Sequence, residues 1–356
     1  MTIPAVMRAV LLTGNGGFDK LELRDDVPVP VPGHDDVLIR VGAAGVNNTD
    51  INTRIGWYSK AAAEATEVGA VSGIAGAEDD GWSGAAFHFP RIQGADACGR
   101  IVAVGVGVDP RRIGQRVLVE PVFRRAEPFD VTYFGSEVDG AFADYACVPA
   151  AYAHGIESSL SDAELASFPC AYSAAENMLT RIALGSGERV LITGATGGVG
   201  SAAVQLAKRR GAEVTALAGS DKGAAVRALG ADRVIPRDAD LAAMFTNEPF
   251  DAAMDVVGGP QFSDILKCLK NGGRYGVAGA IAGPIVDLDL RTLYLKDLRL
   301  IGCTVLEREI FPNLIGYLER GEIKPLIAAT YPLAEIVAAQ EAFLTKRHVG
   351  KIVLTI

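Results

Sequence analysis

Two stretches of the chain hold residues whose types and spacing could do chemistry. The first is GVNNTDINTRIGWYS at 45–59, where Asn47, Asn48, Thr49, Asp50 and Asn52 crowd one strand end. Such polar density is either turn chemistry, with Asn and Asp satisfying local backbone donors, or the lining of a site. As a site it offers neutral donors to an oxygen that gains charge during a reaction. The second is GATGGVG, with glycines at 194, 197, 198 and 200. It follows the apolar run RVLIT and opens an amphipathic segment, the strand–turn–helix context that binding of a dinucleotide pyrophosphate requires. Without Cβ atoms the backbone approaches the phosphates closely. The free N–H groups and dipole of the helix start then stabilise the anion.

The residues downstream bear on which dinucleotide this would be. A free ribose 2′-hydroxyl is usually met by an Asp or Glu at the end of the second strand. That strand ends TALAGSDK, so Ala218 or Gly219 holds the acidic place. Ser220 and Lys222 follow at once, and Arg237 comes after the third strand. Hydroxyl and cationic donors suit a 2′-phosphate, so NADPH is the expected cofactor. Asp221 dissents, or else caps the helix that follows.

The elements that must position these residues fall into two patterns. Up to about residue 155 the chain shows short alternating strands broken by Gly and Pro: Val6–Leu12, Val37–Val41, Gly99–Val104, Gln115–Val119 and Phe142–Val148. A capping box at Ser161-Asp-Ala-Glu then opens a helix. From there to about residue 300 apolar strands alternate with amphipathic helices, which predicts a parallel, doubly wound sheet. Helices over Phe311–Arg320 and Leu333–Lys346 and a last strand, KIVLTI, are too little for a domain and are expected to complete the N-terminal module. The division expected is 1–153, 154–300 and 301–356. Residues 59–90 fit neither pattern. A segment longer than about a dozen residues without periodicity reads as a lid, a binding loop or a surface excursion. Trp82, Phe87, His88 and Phe89 within it either cap a bulky apolar substrate or anchor the excursion.

Composition sets the outer bounds. At 356 residues, with 49% hydrophobic and 22% charged residues, the chain is a globular α/β protein expected to form two domains. Its net charge of −9, without a clustered basic face, argues against nucleic acid or an anionic membrane as partner. No apolar run approaches a membrane span, and the N-terminus meets a glycine turn too early for a signal peptide, so a cytoplasmic protein is expected. Five cysteines at wide spacing, without a CxxC, fit neither a disulfide framework nor a zinc ribbon.

Taken together, MRAVLLTGNGGFDKLELRDDVPVPVPGHDDVLIRVGAAGVN, IQGADACGRIVAVGVGV, GQRVLV, DGAFADYACVPA, GATGGVG and HVGKIVLTI resemble the medium-chain dehydrogenase/reductase superfamily. The likeness covers nearly the whole chain outside 59–90. It implies a GroES-like β-rich catalytic domain, split in sequence, around a Rossmann domain. The zinc alcohol dehydrogenases of this superfamily carry a Cys, a His-Glu pair and a second Cys. At the matched positions this chain has Asn47, Ala95, Asp96 and Cys170, and the four-cysteine block of the structural zinc is absent. Tight catalytic zinc needs three good protein ligands, and one of the usual three remains. Substitutes would have to be His88, Asp50 or Asp96. The zinc-free quinone oxidoreductase branch, with GVN and GxDxxG at these places, is the better match.

That resemblance implies a metal-free hydride transfer to a quinone or an α,β-unsaturated carbonyl. Asn47 becomes the first candidate donor to the substrate oxygen, Thr49 the hydroxyl of a proton relay, and Asp50 the residue that orients the loop. Tyr58 is a donor from the cleft or a packing tyrosine; Arg54 is catalytic or a structural ion pair. Matched positions place Gly194, Thr196, Gly197, Gly198, Val199 and Gly200 at the pyrophosphate, Val257 and Gly258 over the cofactor, and Val277, Ala278 and Gly279 near the nicotinamide. Lys351 matches a lysine often near the cofactor. The run LRLIGCTV (298–305) resembles an edge strand that pairs across a two-fold, which implies a homodimer. Two alternatives stand beside this reading: an alcohol or ketone dehydrogenase with atypical metal ligands, and an NADPH-binding protein without catalytic activity.

Overall fold

The computed structural model describes residues 2–77, 81–84, 87–125 and 129–356. Contacts divide the chain into two units: Met1–Ala62 with Gly69–Cys170 and Phe311–Ile356, and Ala63–Val68 with Ala171–Ile310. The seams at 170/171 and 310/311 lie beyond the 153/154 and 300/301 read from the pattern, for a physical reason at each. Ala153–Gly155 is still a strand, paired with Arg116–Val119 of the first unit. Arg299–Gly302 pairs in the parallel sheet of the second.

The first unit is β-rich. Its larger sheet runs Ala153–Gly155, Arg116–Val119, Cys98–Val104, Asp36–Val46, Lys351–Thr355 and Ile327–Pro332, with Tyr145–Pro149 also paired to Asp36–Val46. A smaller sheet sets Val6–Leu12 between Leu21–Pro28 and Arg91–Ile92. The expected strand Phe142–Val148 divides between the two. Phe142 and Asp144 hydrogen-bond Val10 and Arg8, while the Asp144 carbonyl accepts from Val41 N–H and the ladder register with Asp36–Val46 starts at Tyr145. Alternating Val, Ile and Phe from both sheets form one core, with Val37, Ile39, Phe142, Ile352 and Leu354 enclosed in it.

The strand that closes the larger sheet comes from the far end of the chain. Lys351–Thr355 runs antiparallel to Asp36–Val46, with Ile352 opposite Val46 and Thr355 opposite Ala43. That register delivers Lys351 to the point where Asp36–Val46 ends and the helix Asn48–Ile55 begins. Asn47 is the extended residue before the helix, and its N–H donates to Asp50 Oδ2 at 2.7 Å. Gly56, at φ 76°, ends the helix in the left-handed conformation that favours glycine.

Among the described residues between Tyr58 and Arg91 the chain makes one short helix, Thr66–Gly69. Residues 78–80 and 85–86 of the 59–90 segment lie outside the described residues. Within the first unit the segment is held at two places, 70–74 and 82–83. Ile74 N–H donates to the Ile55 carbonyl, and Arg54 Nη2 donates to the Ala70 carbonyl. Trp82 stacks on Tyr133 at 4.7 Å between ring centroids, and Ser83 N–H donates to Glu137.

The second unit is a six-stranded parallel sheet: Arg233–Pro236, Glu213–Ala218, Arg189–Ile192, Phe250–Asp255, Leu269–Val277 and Arg299–Gly302 in spatial order. This is the 3-2-1-4-5-6 order of a doubly wound dinucleotide fold, with its switch point between Arg189–Ile192 and Phe250–Asp255. The helix Phe262–Cys268 stops where Leu269, which is buried, enters the ladder opposite Phe250. No helix among the described residues is long and apolar enough to cross a membrane.

Candidate active site and dinucleotide cradle

At the head of the Asn48–Ile55 helix the structure brings together Asn47, Asp96, Cys170 and Lys351. Lys351 is 4% exposed, Asp96 0% and Asn47 6%. The Lys351 ammonium donates to Asn47 Oδ1 at 2.6 Å, to Asp96 Oδ2 at 2.7 Å and to the Val46 carbonyl at 3.1 Å. Asn47 Nδ2 donates to Asp96 Oδ2 at 2.8 Å and to the Gly45 carbonyl at 3.3 Å. The other carboxylate oxygen of Asp96 accepts from Cys170 N–H at 2.5 Å. The Asn47 amide, expected to hold a substrate oxygen, therefore has both its hydrogens on internal acceptors.

Thr49 differs from its neighbours. Its hydroxyl oxygen is buried and has no hydrogen-bond partner. It sits in the first turn of the helix, where backbone N–H groups lack intrahelical acceptors. Asp50, 3% exposed, accepts from the backbone N–H groups of Asn47 and Gly94, while its carbonyl accepts from Gln93 Nε2. Burial lifts its carboxyl to about 7. Asp50 thus ties the helix start to the 93–94 turn. Tyr58 is partly buried; burial raises its pKa, and its hydroxyl bonds Asn52. Arg54 is enclosed, with its three nitrogens on Gln340 Oε1, the Gly16 carbonyl and the Ala70 carbonyl, and Phe18 lies under the guanidinium. It is a structural clamp, held by carbonyl groups rather than the ion pair considered from sequence.

The residues at the matched zinc positions do not fit a metal. An ammonium already engages the oxygens of Asn47 and Asp96, and Ala95 contributes no donor. The Cys170 sulfur lies 2.9 Å from the Tyr133 hydroxyl, and burial pushes its thiol up to about 12. His88 is exposed. Among the described residues no group of three or more His, Cys, Asp or Glu is placed to hold an ion.

In the second unit the glycine turn has the form a pyrophosphate needs. The helix Gly198–Arg209 begins directly after Gly197, and a Cβ at Gly200 would collide with the Gly194 carbonyl oxygen. Gly194, Thr196, Gly197, Gly198 and Val199 are all partly exposed around that helix start. Ala218 pairs with Pro236 across the sheet, which brings Ser220, Lys222 and Arg237 to one strand-end edge. Arg237 and Asp221 are exposed there.

Sequence reasoning missed the group that holds the facing turn. Asp255, 0% exposed, takes Thr193 Oγ1 (2.6 Å) and the N–H groups of Val257 (2.8 Å) and Gly258 (3.1 Å) on Oδ1, and the Tyr275 hydroxyl (2.6 Å) on Oδ2. Its carbonyl accepts from Ala278 N–H. One buried carboxylate so fixes the strand ends carrying Val257, Val277, Ala278 and Gly279. The available signal was an acid closing FDAAMD, a strand otherwise apolar after Asp251.

Comparison with known proteins identifies the family. Residues 33–158 match the alcohol dehydrogenase GroES-like domain, and residues 198–320 match the zinc-binding dehydrogenase family. The chain is 29% identical over 363 residues to acryloyl-coenzyme A reductase of Metallosphaera sedula, covering 98% of this chain and 100% of that one. It is 29% identical to quinone oxidoreductase of Rattus norvegicus, covering 98% of each. A crystal structure of a candidate alcohol dehydrogenase from Sinorhizobium meliloti 1021 superposes with a TM-score of 0.89 at 46% identity, covering 99% of this chain and 97% of the other. The chain is an oxidoreductase belonging to the medium-chain dehydrogenase/reductase superfamily, in its quinone oxidoreductase-like branch.

Proposed function

We propose that the protein is a zinc-independent, NADPH-dependent reductase of a quinone or an α,β-unsaturated carbonyl compound. The observation that carries this reading is the buried Thr49 hydroxyl, unpaired at a helix start beside the mutually bonded Asn47, Asp96 and Lys351. Bound NADPH supplies the hydride. The residues of the chain must then orient the acceptor and stabilise the oxygen on which charge develops. Thr49 donates its hydroxyl hydrogen to that oxygen, with the N–H dipoles of the first helical turn behind it. Asp50 holds the turn in place, and Asn47 joins the strand end to Asp96. A conjugated acceptor suits such a site, because its negative charge spreads to a distal oxygen without a Lewis acid.

Ser220, Lys222 and Arg237 favour the 2′-phosphate of NADPH over a free ribose hydroxyl. Acryloyl-coenzyme A and quinone acceptors of the relatives support the substrate class. An exposed apolar edge on the parallel sheet supports a homodimer. The deciding experiment follows NADPH oxidation with 1,4-naphthoquinone and a panel of enones and enoyl thioesters, alongside metal analysis of the purified protein. Turnover by a metal-free preparation is expected. Silence across the panel would overturn the substrate class, and activity lost with a chelated metal would restore the atypical dehydrogenase.

A further inference from the structure

We propose that Lys351 is the chain's own resident cation, standing where metal-dependent relatives bind zinc and positioning the head of the catalytic loop in its stead. The inference rests on the zinc-independent reading above and concerns how that site is built.

Three observations converge on the ammonium. Its three hydrogens meet three acceptors: Asn47 Oδ1 at 2.6 Å, Asp96 Oδ2 at 2.7 Å and the Val46 carbonyl at 3.1 Å. Asn47 stands at a zinc-ligand position, Asp96 matches the acid of the His-Glu pair beside it, and the Cys170 backbone N–H donates to the remaining oxygen of Asp96. The ammonium is therefore coordinated as an ion would be, by groups drawn from separated parts of the chain. Second, the cluster is closed, with Lys351 and Asp96 at 4% and 0% exposure. An unpaired carboxylate at that depth is strongly disfavoured, and the ammonium supplies the opposite charge beside Asp96. Third, the position is imposed by the fold. Ile352 lies opposite Val46 in the antiparallel ladder, so the residue before it must lie beside Asn47.

The consequence is mechanical as well as electrostatic. By holding Asn47 Oδ1, the ammonium fixes the residue that joins strand to helix, two positions before Thr49. Lys351 is then a positioning residue that acts through Asn47. A divalent ion has no place at these donors while the lysine is present. Removing the side chain leaves a cavity lined by a carboxylate, an amide oxygen and a carbonyl, a site for a small primary ammonium ion.

Chemical rescue tests this in the full-length protein. Lys351→Ala is expected to lower the melting midpoint by about 10 °C. Methylammonium chloride should restore several degrees of it, whereas tetramethylammonium, which has no N–H, should not. Equal effects of the two salts would overturn the proposal. Should Lys351→Ala fail to fold, Lys351→Met and Lys351→Met/Asp96→Asn are compared: the neutral pair should melt above the single variant, and an equal or lower midpoint would overturn the charge pairing. In rescued Lys351→Ala, kcat should recover with methylammonium while NADPH affinity stays constant. Wild type incubated with Co²⁺ should show no thiolate–metal absorption; stoichiometric uptake with Lys351 intact would overturn both this inference and zinc independence. Melting needs no substrate, so an inactive substrate panel would sink the reductase reading alone.

Discussion

Thr49 and Asp50 are adjacent in the first turn of one helix, yet burial acts on them in opposite ways. The Thr49 hydroxyl is buried without a partner, which costs the folded state about 1–3 kcal/mol. Thr49→Val should therefore leave the protein as stable or more stable, while kcat falls about 100-fold and NADPH affinity is unchanged. Thr49→Ser should retain most of the turnover. Melting curves and steady-state kinetics on the same preparations check both halves, and unchanged kcat would remove Thr49 from the reaction. Asp50 titrates near 7 because burial disfavours its charge. The folded protein then holds a proton that the unfolded chain releases above about pH 4. The stability it contributes is complete below that pH and is lost as pH rises toward 7, by up to about 1.4 kcal/mol per pH unit. Asp50→Asn should flatten this part of the profile, as read by denaturant melts from pH 4 to 8.

At the scale of elements, the cofactor cradle is a helix start held against two strand ends. Because a Cβ at Gly200 would strike the Gly194 carbonyl, Gly200→Ala should reshape the turn and weaken NADPH binding by about tenfold or more, as followed by the nicotinamide fluorescence. The opposite edge sets cofactor choice. Lys222→Ala and Arg237→Ala should each weaken NADPH about tenfold while leaving NADH nearly unchanged. If neither shifts that ratio, the 2′-phosphate assignment to this edge fails, and Asp221 becomes the candidate partner of a free ribose hydroxyl.

For the whole molecule the open question is what covers its apolar edge. Arg299–Gly302 is the last strand of the parallel sheet, with Leu300 exposed. The nearby Leu290–Leu295 helix exposes Leu290, Tyr294 and Leu295 at 63%, 61% and 68%, and Ile285 is exposed at 75%. An unpaired apolar edge promotes association, and a second copy of the chain is the expected occupant. Sedimentation should give a dimer for the wild type. Leu300→Lys with Leu295→Glu should give a monomer that remains folded.

Much of the architecture was legible in local pattern. Val6–Leu12, Glu213–Ala218 and the capping box at Ser161 form as their alternation and capping predict, because such signals act over a few residues. The cradle was legible for the same reason: strand, glycine turn and helix are contiguous in sequence. Elements shared between sheets were not, as at Asp144–Tyr145, where the chain leaves one ladder for another without an intervening Gly or Pro. The chemical types at 45–59 were evident from sequence, but not which groups stay free. Lys351 reaches Asn47 across 304 residues only because the closing strand adopts its register. By itself the sequence determined the element order, the nucleotide turn and the inventory of donors. The tertiary structure decided that Asn47, Asp96 and Lys351 satisfy one another while Thr49 has no partner, because long-range strand pairing and burial determine which polar groups meet.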